Sequence, residues 1–250
     1  MTHAHFYVPP PAWETGRLSL EGDEARHCAQ VTRHRAGDLV VIFDGAGRKA
    51  EARIDTLGKT EVQLTVIAEH RTAPPPHPIT LLQAVTKGDT FEWIIEKAVE
   101  LGVQRIIPLI TERTIVRLEA RDAAKKHEKW KRIVLEACKQ CGQTWLPEMT
   151  PPVTLSAALE EVKHDTVRLV ASLDPMACRL GDFWQGPQDE SDVPPRRCSI
   201  AIGPEGDFSP AEHELFTCRG WHPWSLGGLV LRSETAAVCA LSILSYELRP

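Results

Sequence analysis

Residues 72–78 read Thr-Ala-Pro-Pro-Pro-His-Pro, and no other stretch limits the fold so tightly. Four of these seven residues lack a backbone donor, and their ring holds φ near about −65°, so the segment continues neither a helix nor a central strand. It divides the chain into residues 1–72 and 73–250, and the hydrophobic period differs on its two sides. Before it, apolar and polar residues alternate through Leu39–Phe43, Ala50–Ile54 and Val62–Ile67. Turn signals stand at Asp44-Gly45-Ala46-Gly47 and Gly58-Lys59, so a small β-rich unit is predicted.

After the prolines the pattern becomes strand then helix, repeated. Ile79–Val85 reads as a buried strand. Phe91, Ile94, Ile95, Ala98 and Leu101 then recur at helical spacing, with Asp89 as cap and Gly102 as stop. Val103–Ile110 is a second strand, and Trp130, Ile133, Val134, Ala137, Cys138 and Cys141 form the stripe of a helix ending at Gly142. Val167–Ser172 and Cys198–Ile202 are further strands. Ser209-Pro210-Ala211-Glu212 opens a helix as a capping box with proline at its first position. Ala237, Leu241, Leu244 and Leu248 mark the last helix. Such alternation implies a largely parallel sheet covered on both faces, with its ligands held by loops beyond the strand carboxyl ends.

At 250 residues and 42% hydrophobic, the chain can bury two cores. No apolar run approaches the roughly 18 residues of a membrane span, and Met1–Pro11 lacks the order of a signal peptide, so a cytoplasmic protein is expected. The seven scattered cysteines are read as reduced core thiols. Cys138-Lys139-Gln140-Cys141 has redox-motif spacing, but it closes a helix, where the dipole disfavours a thiolate. His3, His5, His27 and His34 have no matching ligand set, and no metal is expected. A formal charge of −5 argues against a protein that coats nucleic acid without regard to sequence, so any RNA contact must come from a local patch.

Two segments have the form of ligand loops. Ile202-Gly203-Pro204-Glu205-Gly206 leaves a buried strand through two glycines and faces the N-terminus of the next helix. Some twenty residues on, Leu226-Gly227-Gly228-Leu229-Val230-Leu231 leads into Arg232-Ser233-Glu234-Thr235-Ala236 at the start of the last helix. Taken singly, each is equally well read as an ordinary turn, with Ser233 a cap and Glu205 a carboxylate that satisfies nearby backbone donors.

Together with Lys87-Gly88-Asp89, Glu92–Lys97, Glu100–Val103, Pro108, Thr111-Glu112-Arg113 and Glu136–Gly142, these loops give the chain a resemblance across nearly its whole length. It resembles the RsmE-type 16S ribosomal RNA uridine-N3 methyltransferases of the SPOUT class. Phe6-Tyr7-Val8, His27, Arg33, Gly37-Asp38 and Phe43-Asp44-Gly45 extend the likeness into the N-terminal part. The resemblance implies an α/β chain: a SPOUT-type, trefoil-knotted, parallel-sheet methyltransferase domain over 73–250, preceded by a small PUA-like β-barrel RNA-binding domain over 1–72. It further implies a homodimer that acts on 16S ribosomal RNA within the assembled small ribosomal subunit, with S-adenosyl-L-methionine as cofactor.

The implied cofactor residues are Leu173, Ile202, Gly203, Pro204, Glu205, Gly206, Leu226, Gly227, Leu231, Ser233, Glu234, Thr235 and Ala236. Arg232 is the candidate catalytic residue, because a fixed guanidinium stabilises charge that develops on the uracil carbonyls. Candidate RNA contacts are Arg26, Arg33, Arg35, Lys49, Arg53, Lys87, Arg113 and Arg117. Three positions depart from the family pattern: Asp207 replaces a glycine, and Leu229 and Gln143 each replace an arginine. The alternatives are a catalytically silent RNA-binding or ribosome-assembly protein on the same fold and a knotted methyltransferase of another RNA. Cofactor binding separates the first from an enzyme, and profiling of the methylated RNA separates the second.

Overall fold

The computed structural model describes residues 4–14, 16–58, 60–114, 120–183 and 197–248. The chain forms two compact units, Met1–Pro74 with Leu135–Leu146, and Pro75–Val134 with Pro147–Pro250.

In the first unit, β1 (His5–Tyr7), β2 (Arg17–Glu21), β3 (Leu39–Phe43), β4 (Arg48–Leu57) and β5 (Glu61–Arg71) form one sheet in the order β1-β3-β4-β5-β2. The alternation read from the sequence is seen in β4 and the first half of β5, whereas β3 is buried from Val40 to Phe43. Ala50, Ala52 and Ile54 of β4 point inward, as do Val62 and Leu64 of β5, while Glu51, Arg53 and Asp55 point out. Helix α1 (Gly22–Arg26) runs into a single π-helical turn, His27–Val31, and Ala25 and Cys28 join the five strands in one core with Phe6, Leu20 and Ile42. The Asp44–Gly47 segment is a hairpin turn. Buried Asp44 accepts from the backbone N–H groups of Ala46 and Arg48 and pairs with the Arg48 guanidinium at 2.8 Å.

No pattern in the sequence indicates that residues 135–146 join this unit. The motif Glu136–Gly142 explains it: Lys139 is only 7% exposed and is ion-paired to Glu24 of α1 and to Glu136, while its carbonyl meets Nδ1 of His5. Gly47 N–H donates to the Thr144 carbonyl, and Leu146 N–H to that of Gly45. A side chain at Gly47 would strike Trp145 within 2.6 Å, so this glycine is required by close approach.

The second unit is α/β. Its strands are β6 (Ile79–Ala84), β7 (Arg105–Ile110), β8 (Glu148–Met149), β9 (Val153–Thr154), β10 (Val167–Ala171), β11 (Cys198–Ile202) and β12 (His222–Trp224). They pair in parallel throughout, in the order β12-β10-β11-β6-β7-β8, with β9 also on β7. Helices α2 (Thr90–Glu100), α3 (Ala120–Cys141), α4 (Leu155–Glu161), α5 (Leu180–Phe183), α6 (Pro210–Cys218) and α7 (Ser233–Glu247) connect or follow them. The last turns of α3 belong to the first unit. β6 and β11 are buried at every position, as expected of central parallel strands.

The predicted helix stops hold, with Gly102 at φ +83° and Gly142 at φ +78°. The capping box of α6 is complete in both directions between Ser209 and Glu212. Two caps differ from expectation. Asp89 occupies the N-cap of α2 without a side-chain cap bond, and the N-cap of α7 is Arg232 rather than Ser233. The cysteines also divide: Cys28, Cys138 and Cys198 are buried, Cys239 is half-buried, and Cys141, Cys178 and Cys218 are exposed. The Cys-Lys-Gln-Cys pair is therefore not a pair of core thiols, because a spacing of three around a helix end turns Cys141 to the surface.

Candidate active site

The chain leaves β6 towards β7 on one side of the sheet, and β11 lies against β6 on the other. At such a switch point the loops after adjacent strands separate and leave a crevice beyond their carboxyl ends. A cavity of about 490 Å³ occupies this edge of the second unit. Ala171 at the end of β10 lines it with Ser172 and Leu173 just beyond, as do Gly203, Pro204, Glu205 and Asp207 after β11. The remaining walls are Leu226, Gly227, Leu229, Val230 and Leu231 after β12, then Arg232, Ser233 and Glu234 at the start of α7, and Thr90 of α2.

Most of the residues singled out in the sequence thus meet in one place. Ile202 stays inside β11 and is buried, while Gly206, Thr235 and Ala236 lie outside the lining. Leu229 and Val230 line it as members of the second ligand loop, while Thr90, Ala171, Ser172 and Asp207 line the cavity without having been expected there. Their positions follow from topology, because a sequence does not display which strands end side by side.

The loop after β11 is held by identifiable bonds. The Glu205 carboxylate accepts from the backbone N–H of Lys87 at 3.2 Å, which ties the β11 loop to the segment after β6. Arg113 donates from Nη1 to the carbonyl of Gly206 at 2.7 Å and to that of Phe208 at 3.5 Å, acting as a clamp on the same loop. Asp207 has φ +60°, where its Oδ1 accepts from the Phe208 N–H at 2.7 Å and its Oδ2 stands 3.5 Å from Nε2 of His213. This local bonding is what lets an aspartate occupy a left-handed position that otherwise favours glycine.

The lining carries three carboxylates, Glu205, Asp207 and Glu234, against one guanidinium, Arg232. Leu173, Leu226 and Leu231 add apolar wall. A cavity of this size with an acidic excess and an apolar side fits a cationic, partly aromatic small molecule. Arg232 is exposed, and no hydrogen bond or ion pair holds its guanidinium among the described residues.

Arg26, Arg33 and Arg35 are exposed around the π-helical turn of the first unit, and Arg33 has φ +56°. Lys49 and Arg53 lie on β4, whose exposed side alternates them with Glu51 and Asp55; Arg53 is 3.5 Å from Asp55. Lys87 is exposed beside the Glu205 loop, and Arg117 lies outside the described residues. Among the described residues, no three His, Cys, Asp or Glu side chains gather as metal ligands, and no helix is long and apolar enough to cross a membrane.

Comparison with known proteins gives a consistent picture. Residues 73–245 match the family model described as RNA methyltransferase domain, and residues 20–67 match RNA methyltransferase PUA domain. The ribosomal RNA small subunit methyltransferase E of Aquifex aeolicus is 36% identical over 91% of this chain and 93% of its own. The Bacillus subtilis protein of the same name is 30% identical over 94% and 91%. The crystal structure of the Neisseria gonorrhoeae ribosomal RNA small subunit methyltransferase E bound to S-adenosyl methionine superposes with a TM-score of 0.86. It has 31% identity and covers 98% of this chain and 97% of that one. With its PUA-like first unit, its parallel-sheet second unit and these matches over nearly its whole length, the chain belongs to the RNA methyltransferase family represented by the ribosomal RNA small subunit methyltransferases E.

Proposed function

We propose that this protein methylates N3 of a specific uridine in 16S ribosomal RNA, using S-adenosyl-L-methionine bound in the cavity at the carboxyl edge of the parallel sheet. The observation that carries the reading is the cavity itself, where the loops after β10, β11 and β12 and the start of α7 converge. The acidic excess of its lining matches a sulfonium, and Leu173, Leu226 and Leu231 offer a surface for adenine. The bound cofactor supplies an electrophilic methyl group. Backbone groups of the glycine-bearing loops hold it, and Arg232 lies at the cavity wall with its guanidinium available to the RNA.

Removal of the N3 proton spreads negative charge onto the uracil carbonyl oxygens, and a guanidinium fixed beside them stabilises that charge as it forms. Leu229 and Val230, 80% and 79% exposed on the same wall, give an apolar shelf for a base turned out of its stack. Glu205 is engaged with the Lys87 N–H and serves the loop rather than the proton. In this reading the substrate is the assembled small subunit, and the protein works as a cytoplasmic homodimer whose second unit carries a trefoil knot. Arg26, Arg33, Arg35, Lys49, Arg53 and Lys87 guide the RNA.

The test is methyl transfer from labelled cofactor to small subunits prepared from cells lacking this protein, followed by nucleoside mass spectrometry. The expected product is 3-methyluridine in 16S RNA. Absence of transfer by the folded protein, or label confined to another base or to tRNA, contradicts the proposal.

A further inference from the structure

β6 is buried from end to end, yet its fifth residue is Gln83, with no exposed surface. A primary amide in such a place is costly unless it is paired, and a leucine of similar volume would avoid the cost. Both amide protons of Gln83 are used. Nε2 donates to the Ala84 carbonyl at 3.1 Å and to Oγ of Ser233 at 3.0 Å, and Ser233 in turn donates to the Gly203 carbonyl at 2.6 Å. The directions are forced. A carbonyl only accepts, so the single hydroxyl proton of Ser233 goes to Gly203, and its lone pair receives the Gln83 amide. Oε1 of Gln83 has no partner among the described residues.

This chain of bonds joins the end of β6 to two of the segments that line the cavity, the loop after β11 and the first turn of α7. Its middle member, Ser233, stands between Arg232 and Glu234, which both line the cavity. We propose that Gln83, through Ser233, is a positioning residue for methyl transfer, setting the start of α7 and its Arg232 against the Gly203 loop. The inference rests on the methyltransferase reading above and deepens it. The amide donor fills the lone pair of Ser233 and ties it to the end of β6, whereas an acceptor at this point would compete with Gly203 for the serine proton.

The test uses full-length Gln83→Leu, Ser233→Ala, Ser233→Thr and Arg232→Ala proteins. Two quantities are read: kcat at saturating cofactor, with KM for S-adenosylmethionine measured separately, and hydrogen-exchange protection in the first turn of α7. Gln83→Leu and Ser233→Ala are expected to lower kcat at least tenfold while KM changes less, and to reduce that protection. Ser233→Thr keeps the hydroxyl and should retain most of both. The Gln83→Leu/Ser233→Ala double variant should be no worse than either single one, and Gln83→Leu combined with Arg232→Ala should be no worse than Arg232→Ala alone.

Unchanged kcat in Gln83→Leu, with or without lost protection, overturns the positioning role. So does a lowered kcat with protection intact, or multiplicative losses in the double variants. A folded wild-type protein that transfers no methyl group sinks the methyltransferase reading instead. Protection at α7 then decides the link alone, being lost in Gln83→Leu if the link holds and unchanged if it does not.

Discussion

Arg232 and Asp207 show two ways in which one residue acts at the cavity. Arg232 is the N-cap of α7 but makes no side-chain cap bond, so its guanidinium is not committed to the helix. Its replacement by alanine is expected to lower kcat about 100-fold, the usual consequence of losing one donor to developing negative charge, with cofactor affinity nearly unchanged. Equal kcat in steady-state assays would refute that role. Asp207, in contrast, is fixed by Phe208 and His213 in a left-handed conformation. Alanine there keeps the backbone strain and loses the bonds, whereas glycine loses only the bonds, so Asp207→Ala should weaken cofactor binding more than Asp207→Gly in calorimetry.

The glycines mark where the sequence stops being legible. Gly203 and Gly227 were both expected to permit close approach of a ligand. A side chain at Gly203 would press on Asp207 and Phe208 of its own turn at 3.2–3.4 Å, a restriction separate from any ligand. One at Gly227 would meet nothing within 4 Å, and the restriction is its φ of +127°. A sequence shows that a Cβ is missing but not which way it would have pointed.

At the scale of elements, periodicity located β6, β11 and α7 because burial on a fixed face leaves a repeating signature. It missed β12, which has three residues and a proline at its centre. β12 is the outer strand beside β10, and an edge position tolerates the missing N–H that a central one would not. The segment Leu135–Leu146 was read only as a helix end, yet its Lys139–Glu24 ion pair ties it into the first unit. Removing Lys139 takes the cation from a part-buried Glu24 carboxylate, which among the described residues keeps only the Tyr7 N–H at 3.1 Å. Lys139→Ala is therefore expected to raise hydrogen exchange across residues 135–146 with little change in the central strands of the second unit. Unaltered exchange there would show that the pair does not hold the segment.

At the scale of the molecule, the cysteines report whether burial is distributed as described. Burial pushes the Cys28 thiol up to about 11 and the Cys138 thiol up to about 12, and it raises Cys198 as well. These groups are neutral thiols at pH 8, because a raised pKa leaves the proton bound, and neutral thiols react slowly. Native protein treated with an aromatic disulfide reagent at pH 8 should release a fast phase from Cys141, Cys178 and Cys218, with all seven thiols reacting only in denaturant. Fast reaction of Cys28 or Cys198, identified by peptide mapping, would contradict the burial described for the first or the second unit respectively.

The proline run near the end of the first unit's N-terminal segment, the strand-helix alternation and the two glycine loops were readable because they are local signals, whereas the return of residues 135–146 to the first unit was not. The convergence of those loops was not, since it depends on β10, β11, β6 and β7 lying side by side, an order set by long-range pairing. The central claim is that this convergence makes a cofactor site, and isothermal titration with S-adenosylmethionine tests it most directly. The account predicts saturable binding at one site per chain, weakened at least tenfold in Gly227→Val, whose backbone leaves the conformation that shapes the wall. No binding by the folded protein, or equal binding by that variant, would contradict it.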